Sequence, residues 1–355
     1  MSASIHLSLS GNHNAASQSL TDLSNISFSK LNHNDHAHLR RNELVELFEE
    51  TKSEVVGAVD IQRFGDHSQL NQLNNLDLSA DQSEILLLPF NNSELFIQSF
   101  ECLPPVAASL AINPLQHALV LFPKSALLSL QDIPDSEDLL WEDLLWHMLI
   151  LLTQTGIKSR CVSSIPLTLD STSQLPLPDL APNAPGPEPD WLLHLLRAYQ
   201  PAQDLPTISS QADATALKAG LLCIHDYLDE SHQFSQSAQN QGLHQAGDYW
   251  HHIMHRREPD YSNAKYWSRV VGYHPLHDLL PELVRPLFDH FQSQTVASWK
   301  DRLLQNKHWS LNAFVDCCEE CESSQDQELC ELARRVQWIE MQLLLQKTSL
   351  DATTG

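Results

Sequence analysis

Basic residues are scarce in this 355-residue chain: 21 Lys and Arg stand against 45 Asp and Glu, a formal net charge of −24. A surface of that sign repels phosphate backbones and anionic membrane surfaces at long range, which argues against nucleic acid and against membrane binding. A continuous apolar run of about 20 residues, the length that crosses a bilayer, is also missing. The most apolar stretch, Leu139 to Leu152, is interrupted by Glu142, Asp143 and His147 and reads as a buried helix. The first thirty residues carry no basic leader followed by an apolar core, so a cytoplasmic setting is expected. Seven cysteines, an odd number, do not suggest a disulfide framework and fit reduced thiols. No internal repeat is visible.

At this length one hydrophobic core is stretched, and two domains are expected. In the first, residues 1–174, short apolar runs alternate with amphipathic segments. Glu54 to Val59, Ile85 to Pro89 and His117 to Phe122 read as buried strands, while Asn42 to Lys52, Ser93 to Leu103 and Leu139 to Thr155 read as helices. This alternation implies an α/β layer structure. The segment LPLPDLAPNAPGPEP, Leu175 to Pro189, is held extended by its prolines and reads as a stiff linker within residues 175–190. Residues 191–355 then give helical signals throughout, including one helix from about Asp213 to Ser237 and another from Tyr249 to Glu258. The fold class is α+β overall: an α/β N-terminal domain and an all-helical C-terminal domain.

Chemistry concentrates between His225 and Pro275. On a single helix from Asp213 to Ser237, His225, Asp229 and His232 fall at i, i+4 and i+7, beside an apolar stripe of Leu217, Leu221, Ile224 and Leu228. His225 and His232 would then stand two turns apart, roughly 10 Å along the axis, too far to share one ion. Asp229 with one histidine is the expected pair. In Gly247 to Asp260, His251 and His255 share a helix face at i and i+4, a spacing that zinc sites use. The position after His251, where a zinc protease motif carries its general-base Glu, is His252. Ser262 is the expected cap of the following helix. Arg256, Arg257, Lys265 and Arg269 form a local cationic cluster that could clamp a small anionic molecule.

The expected site is therefore His225, Asp229, His251 and His255 as acid-base groups, with Arg256, Arg257, Lys265 and Arg269 for substrate. A divalent metal such as zinc would sit on Asp229, His251 and His255. Hydrolase-like chemistry suits those groups. A non-catalytic module that binds a ligand or partner remains the alternative.

The blocks GLLCIHDYLDESH and YWHHIMHRREPDYSNAKYW resemble an uncharacterised family found in bacteria and fungi whose members look alike through both. The resemblance spans Ala216 to Leu276 and implies that this segment travels as a unit. In the first domain, Leu121 to Gly156 is similar to the acceptor-side half of nucleotide-sugar glycosyltransferases, and that likeness implies a transferase base at Glu142 or Asp143. The paired aspartates that hold metal and diphosphate in such enzymes are missing from LLLPFNNSE, Leu86 to Glu94. The alternative for Glu142 and Asp143 is that they favour the positive end of a helix dipole. In DCCEECE, Cys317 and Cys321 lie one turn apart and read as buried small side chains.

Overall fold

A computed structural model describes residues 5–10, 26–30, 38–39, 41–60, 63–64, 66–76, 83–91, 97, 100–130, 139–165, 167–169, 177–182, 190–304, 308–324 and 326–354. The chain divides into two compact units: Met1–Glu101 with Ala108–Pro176, and Cys102–Ala107 with Leu177–Gly355. Most of the expected linker and most of the expected helix from Ser93 lie outside the described residues.

The first unit is built on a six-stranded mixed sheet, ordered β2-β1-β4-β6-β5-β8. The strands are β1 (Ile5–Ser10), β2 (Ile26–Lys30), β4 (Val55–Asp60), β5 (Ile85–Pro89), β6 (Ala118–Pro123) and β8 (Ser159–Cys161). A short antiparallel pair, β3 (His38–Leu39) with β7 (Leu139–Leu140), lies outside that sheet. β6 runs antiparallel to both β4 and β5, while β1 pairs in parallel with β2 and β4. Every residue of β5 and β6 is buried, as expected of strands covered on both faces, and continuous Leu and Val runs rather than alternation encode this. Leu86, Leu88, Leu119 and Leu121 share one core with Phe64 and Phe90.

Among the described residues, α1 (Arg41–Glu49), the part of α2 (Pro105–Ala111) from Ala108 onward, α3 (Lys124–Ser129) and α4 (Trp141–Gln154) belong to this unit. In α4, the buried Trp146 indole donates to the Ser109 carbonyl at 2.7 Å. Glu142 and Asp143 occupy its first turn, where the helix dipole favours carboxylates.

The second unit is helical: α5 (Asp190–Ala198), α6 (Pro201–Asp204), α7 (Gln211–Ile224), α8 (Leu228–Ser237), α9 (Ala246–Arg257), α10 (Tyr261–Val271), α11 (Leu276–Val284), α12 (Gln294–Leu304), α13 (Leu311–Ser323) and α14 (Gln327–Thr354). The α+β class with a helical C-terminal part is thus the observed architecture. No helix among the described residues is long and apolar enough to cross a membrane.

α9 is the axle of this unit, since every residue from Ala246 to Arg257 is buried. Close approach of its neighbours depends on two glycines. A Cβ on Gly247 would lie 2.8 Å from the Ala238 Cβ, and one on Gly220 would lie 2.5 Å from the Trp250 ring. Both glycines therefore let α9 pack tightly, Gly247 against the end of α8 and Gly220 against α7.

Candidate metal centre

One expected helix, Asp213 to Ser237, is broken. α7 ends at Ile224, and Asp226 adopts a left-handed backbone with φ +66° before α8 begins at Leu228. Asp tolerates that conformation better than most residues. Its carboxylate is held there by the Arg257 guanidinium, which also donates to the Cys223 carbonyl at the end of α7. A tertiary ion pair thus turns the chain where the local sequence favours continuing the helix. α8 folds back onto α7, with the Ser231 hydroxyl donating to the Ala219 carbonyl at 2.9 Å.

This reversal carries His232 onto α9. Ring centroids of His232 and His251 are 4.6 Å apart, those of His232 and His255 5.4 Å, and those of His251 and His255 4.8 Å. One ligand nitrogen from each of the three lies within 4.8 Å of the others. A tetrahedral ion with bonds of about 2.0–2.1 Å would hold its nitrogens closer together than that, so binding would draw the three rings inward. Among the described residues, this is the group of histidine, cysteine and carboxylate side chains that could hold a metal ion.

The surroundings suit neutral imidazoles. His251 is 1% exposed, and neither of its ring nitrogens has a hydrogen-bond partner. Burial, reinforced by His255 and His232, pushes its pKa down to about 3. The Trp267 indole of α10 lies nearly parallel to it, 3.8 Å between ring centroids and 22° between planes. His255 is also shifted down by burial, with Glu258 opposing the shift. Its Nδ1 lies 3.1 Å from the Glu258 carboxylate, so that nitrogen is the donor and Nε2 keeps its lone pair. The Asn263 amide nitrogen is 3.1 Å from Nε2. A carboxylate on one ring nitrogen fixes the tautomer and strengthens the other nitrogen as a ligand.

Several expected site residues fall elsewhere. His225 forms the C-cap of α7 and is no member of the trio. Asp229 is exposed on α8, and the third imidazole of the cluster is His232. Arg256 is fully buried and donates to the Glu340 carboxylate of α14 at 2.5 Å, with its guanidinium 4.5 Å from the Phe314 ring centroid. Arg257, also buried, holds Asp226 together with the carbonyls of Cys223 and Asp179. Neither is a free clamp for substrate. Lys265 pairs with Asp316 at 2.7 Å and Glu319 at 3.1 Å, and Arg269 is exposed. The cap of α10 is Asp260, whose carboxylate accepts from the Asn263 N–H and the Ser262 hydroxyl, so Ser262 sits inside the helix it was expected to cap.

His232, Trp267, Asn263 and Glu258 join the site without having been singled out for it. Glu258 had a usable signal, a carboxylate three residues after His255 at a helix end. His232 had none without knowledge of the turn at Asp226.

His252, adjacent to the trio, faces another way: its Nδ1 is 2.8 Å from the Ala264 carbonyl. It packs around the Tyr249 ring together with His274 and His277, at centroid distances of 6.0, 5.0 and 5.8 Å. The Tyr249 hydroxyl donates to Glu340 at 3.0 Å.

Comparison with protein-family models, with curated proteins and with solved structures finds no match to this chain.

Proposed function

We propose that the helical unit is a metal-dependent enzyme of the hydrolase type, with His232, His251 and His255 as the ligands of one divalent transition metal. The observation that carries the reading is His251. A buried imidazole with both nitrogens unpartnered is costly, and here two further imidazoles face it. A shared ion would remove part of that cost by taking the lone pair of one nitrogen from each ring.

Three neutral histidines leave the ion's double charge uncompensated and a coordination position open, which in such sites lowers the pKa of bound water to about 7 and polarises a carbonyl or phosphoryl oxygen. That charge, rather than the arginines, is now the reason to expect a small anionic substrate. Glu258 holds His255 in the tautomer that presents Nε2. Trp267 backs His251 and limits its rotation. The Asn263 amide donates to Nε2 of His255 and would have to release that nitrogen when the ion binds.

The test uses full-length protein stripped by chelation and reloaded separately with zinc, manganese, ferrous iron or cobalt, then assayed on activated esters and on phosphate mono- and diesters. Turnover restored by one of these metals and lost in His251→Ala is the expected result. Turnover unaffected by His251→Ala would refute the reading. Stoichiometric metal with no turnover on any ester would leave a metal-binding module in place of an enzyme.

A further inference from the structure

A second reactive grouping lies where α13 meets α14, and it contains no residue of the histidine trio. Cys317, Cys318 and Cys321 are buried on α13, and Cys330, in the first turn of α14, is partly exposed. The Cys321 thiol has those of Cys317 and Cys330 as its neighbours. The Cys330 thiol also donates to the Cys321 carbonyl at 3.6 Å. The Ser324 N–H is bonded to the Cys321 carbonyl at the end of α13, and Asp326 caps α14 through the Leu329 N–H. Cys321 and Cys330 are therefore held face to face at the closed end of a helical hairpin.

We infer that Cys321 and Cys330 form a reversible dithiol–disulfide couple that reduces a hydroperoxide. Three features separate this from other uses of the same thiols. Among the described residues, these thiols do not make up a group able to surround one metal ion. Cys317 is one turn from Cys321 on the same helix, where side chains leave the axis in parallel and a disulfide would distort the backbone, whereas Cys330 comes from the facing helix. Cys318 is fully buried beside Arg256 and Glu340, and burial raises its pKa to about 12, which leaves it a poor nucleophile.

The chemistry divides between the two partners. Cys321 takes the attacking role and Cys330, whose thiol reaches the Cys321 carbonyl at 3.6 Å, the resolving role; the neighbouring thiols also draw the Cys321 pKa down against the opposing effect of its burial. Its thiolate attacks the peroxide, the O–O bond breaks, and the distal oxygen leaves on sulfur as a sulfenic acid while the alcohol departs with a proton. The Cys330 sulfur then attacks Cys321, the S–O bond breaks, and water leaves. Two thiols have given up two electrons and two protons, and the peroxide has become an alcohol and water.

The full-length reduced protein is treated with hydrogen peroxide or cumene hydroperoxide near neutral pH, alkylated, cleaved after glutamate and analysed by mass spectrometry. Cleavage at Glu319, Glu320 and Glu322 separates Cys321 from Cys317 and Cys318 on one side and from Cys330 on the other. The expected product is a Cys321–Cys330 linked pair of peptides that dithiothreitol separates, with Cys330→Ser instead leaving a sulfenic acid at Cys321 that dimedone traps. The wild-type readout stands even if the variant folds poorly. Absence of the link, a Cys317–Cys321 link in its place, or thiols protected by a bound metal would overturn the inference. None of these outcomes bears on the histidine trio.

Discussion

His232 meets His251 edge to face, with ring centroids 4.6 Å apart, because the chain reverses between α7 and α8. Take away the reversal and His232 would continue along the α7 axis, away from α9. The Arg257–Asp226 pair that fixes the reversal is therefore a positioning device for the histidine trio, acting across 31 residues of sequence. Asp226→Asn keeps the side-chain shape and its tolerance of left-handed backbone but removes the charge. Loss of one partner from a buried pair costs about 3–5 kcal/mol; Asp226 is partly exposed, so a smaller loss, about 1–3 kcal/mol, is expected in urea unfolding. Metal affinity should fall with it, whereas an unchanged affinity would separate the turn from the site.

Glu258 supplies the hydrogen bond that sets the His255 tautomer. Replacement by Gln weakens that bond without emptying the space. Metal dissociation constants should rise about 10–100-fold, the range seen when such outer carboxylates are changed, with thermal stability of the metal-free protein close to unchanged because Glu258 is exposed.

The buried pair Arg256–Glu340 is shared with the Tyr249 hydroxyl. Glu340→Leu alone strands a buried guanidinium and should cost about 3–5 kcal/mol. The triple change Arg256→Met, Glu340→Leu and Tyr249→Phe removes the ion pair and the Tyr249 hydroxyl together, leaves Gln337 bonded to the Asp179 carbonyl, and should recover most of that loss. Denaturant midpoints of the two variants decide the point. A triple variant no more stable than the single one would mean that the pair does more than satisfy itself.

Acid should unfold the helical unit through its buried histidines. Burial, reinforced by His277, His244 and Lys347, lowers the pKa of His274 from 6.5 to about 3. Between those values the unfolded chain binds a proton that the folded chain refuses, so stability is fullest above about pH 6.5 and falls as pH drops toward 3. One such group contributes a slope of about 1.4 kcal/mol per pH unit within that window. His274→Asn keeps an acceptor for the Leu276 N–H, which His274 Nδ1 takes at 3.2 Å, and does not titrate. Its stability–pH curve should be shallower by about that slope; an acid limb parallel to wild type would contradict the assignment.

Much of the fold was legible because its signals are local. The Leu and Val runs of β5 and β6 needed no partner to be recognised, and the 3.6-residue pattern marked α9 and α10 within a few residues. The site was legible only where both ligands ride on one helix: His251 and His255 follow from i, i+4 spacing. His232 was placed wrongly because nothing between Ile224 and Leu228 is a strong helix breaker. The charged residues misled for a related reason. Arg256 and Arg257 look like a substrate clamp in sequence, yet their partners, Glu340 and Asp226, are distant in the chain and close only in the fold.

An ion held by His232, His251 and His255 is the proposed centre of the helical unit's chemistry. Elemental analysis combined with X-ray absorption, on full-length protein purified without chelators, addresses that directly. The prediction is about one divalent transition metal per chain, with first-shell scattering from imidazole nitrogen and oxygen but no sulfur, and loss of the metal in His251→Ala. Protein that neither carries nor takes up a stoichiometric metal, or metal ligated by sulfur and retained in His251→Ala, would contradict it.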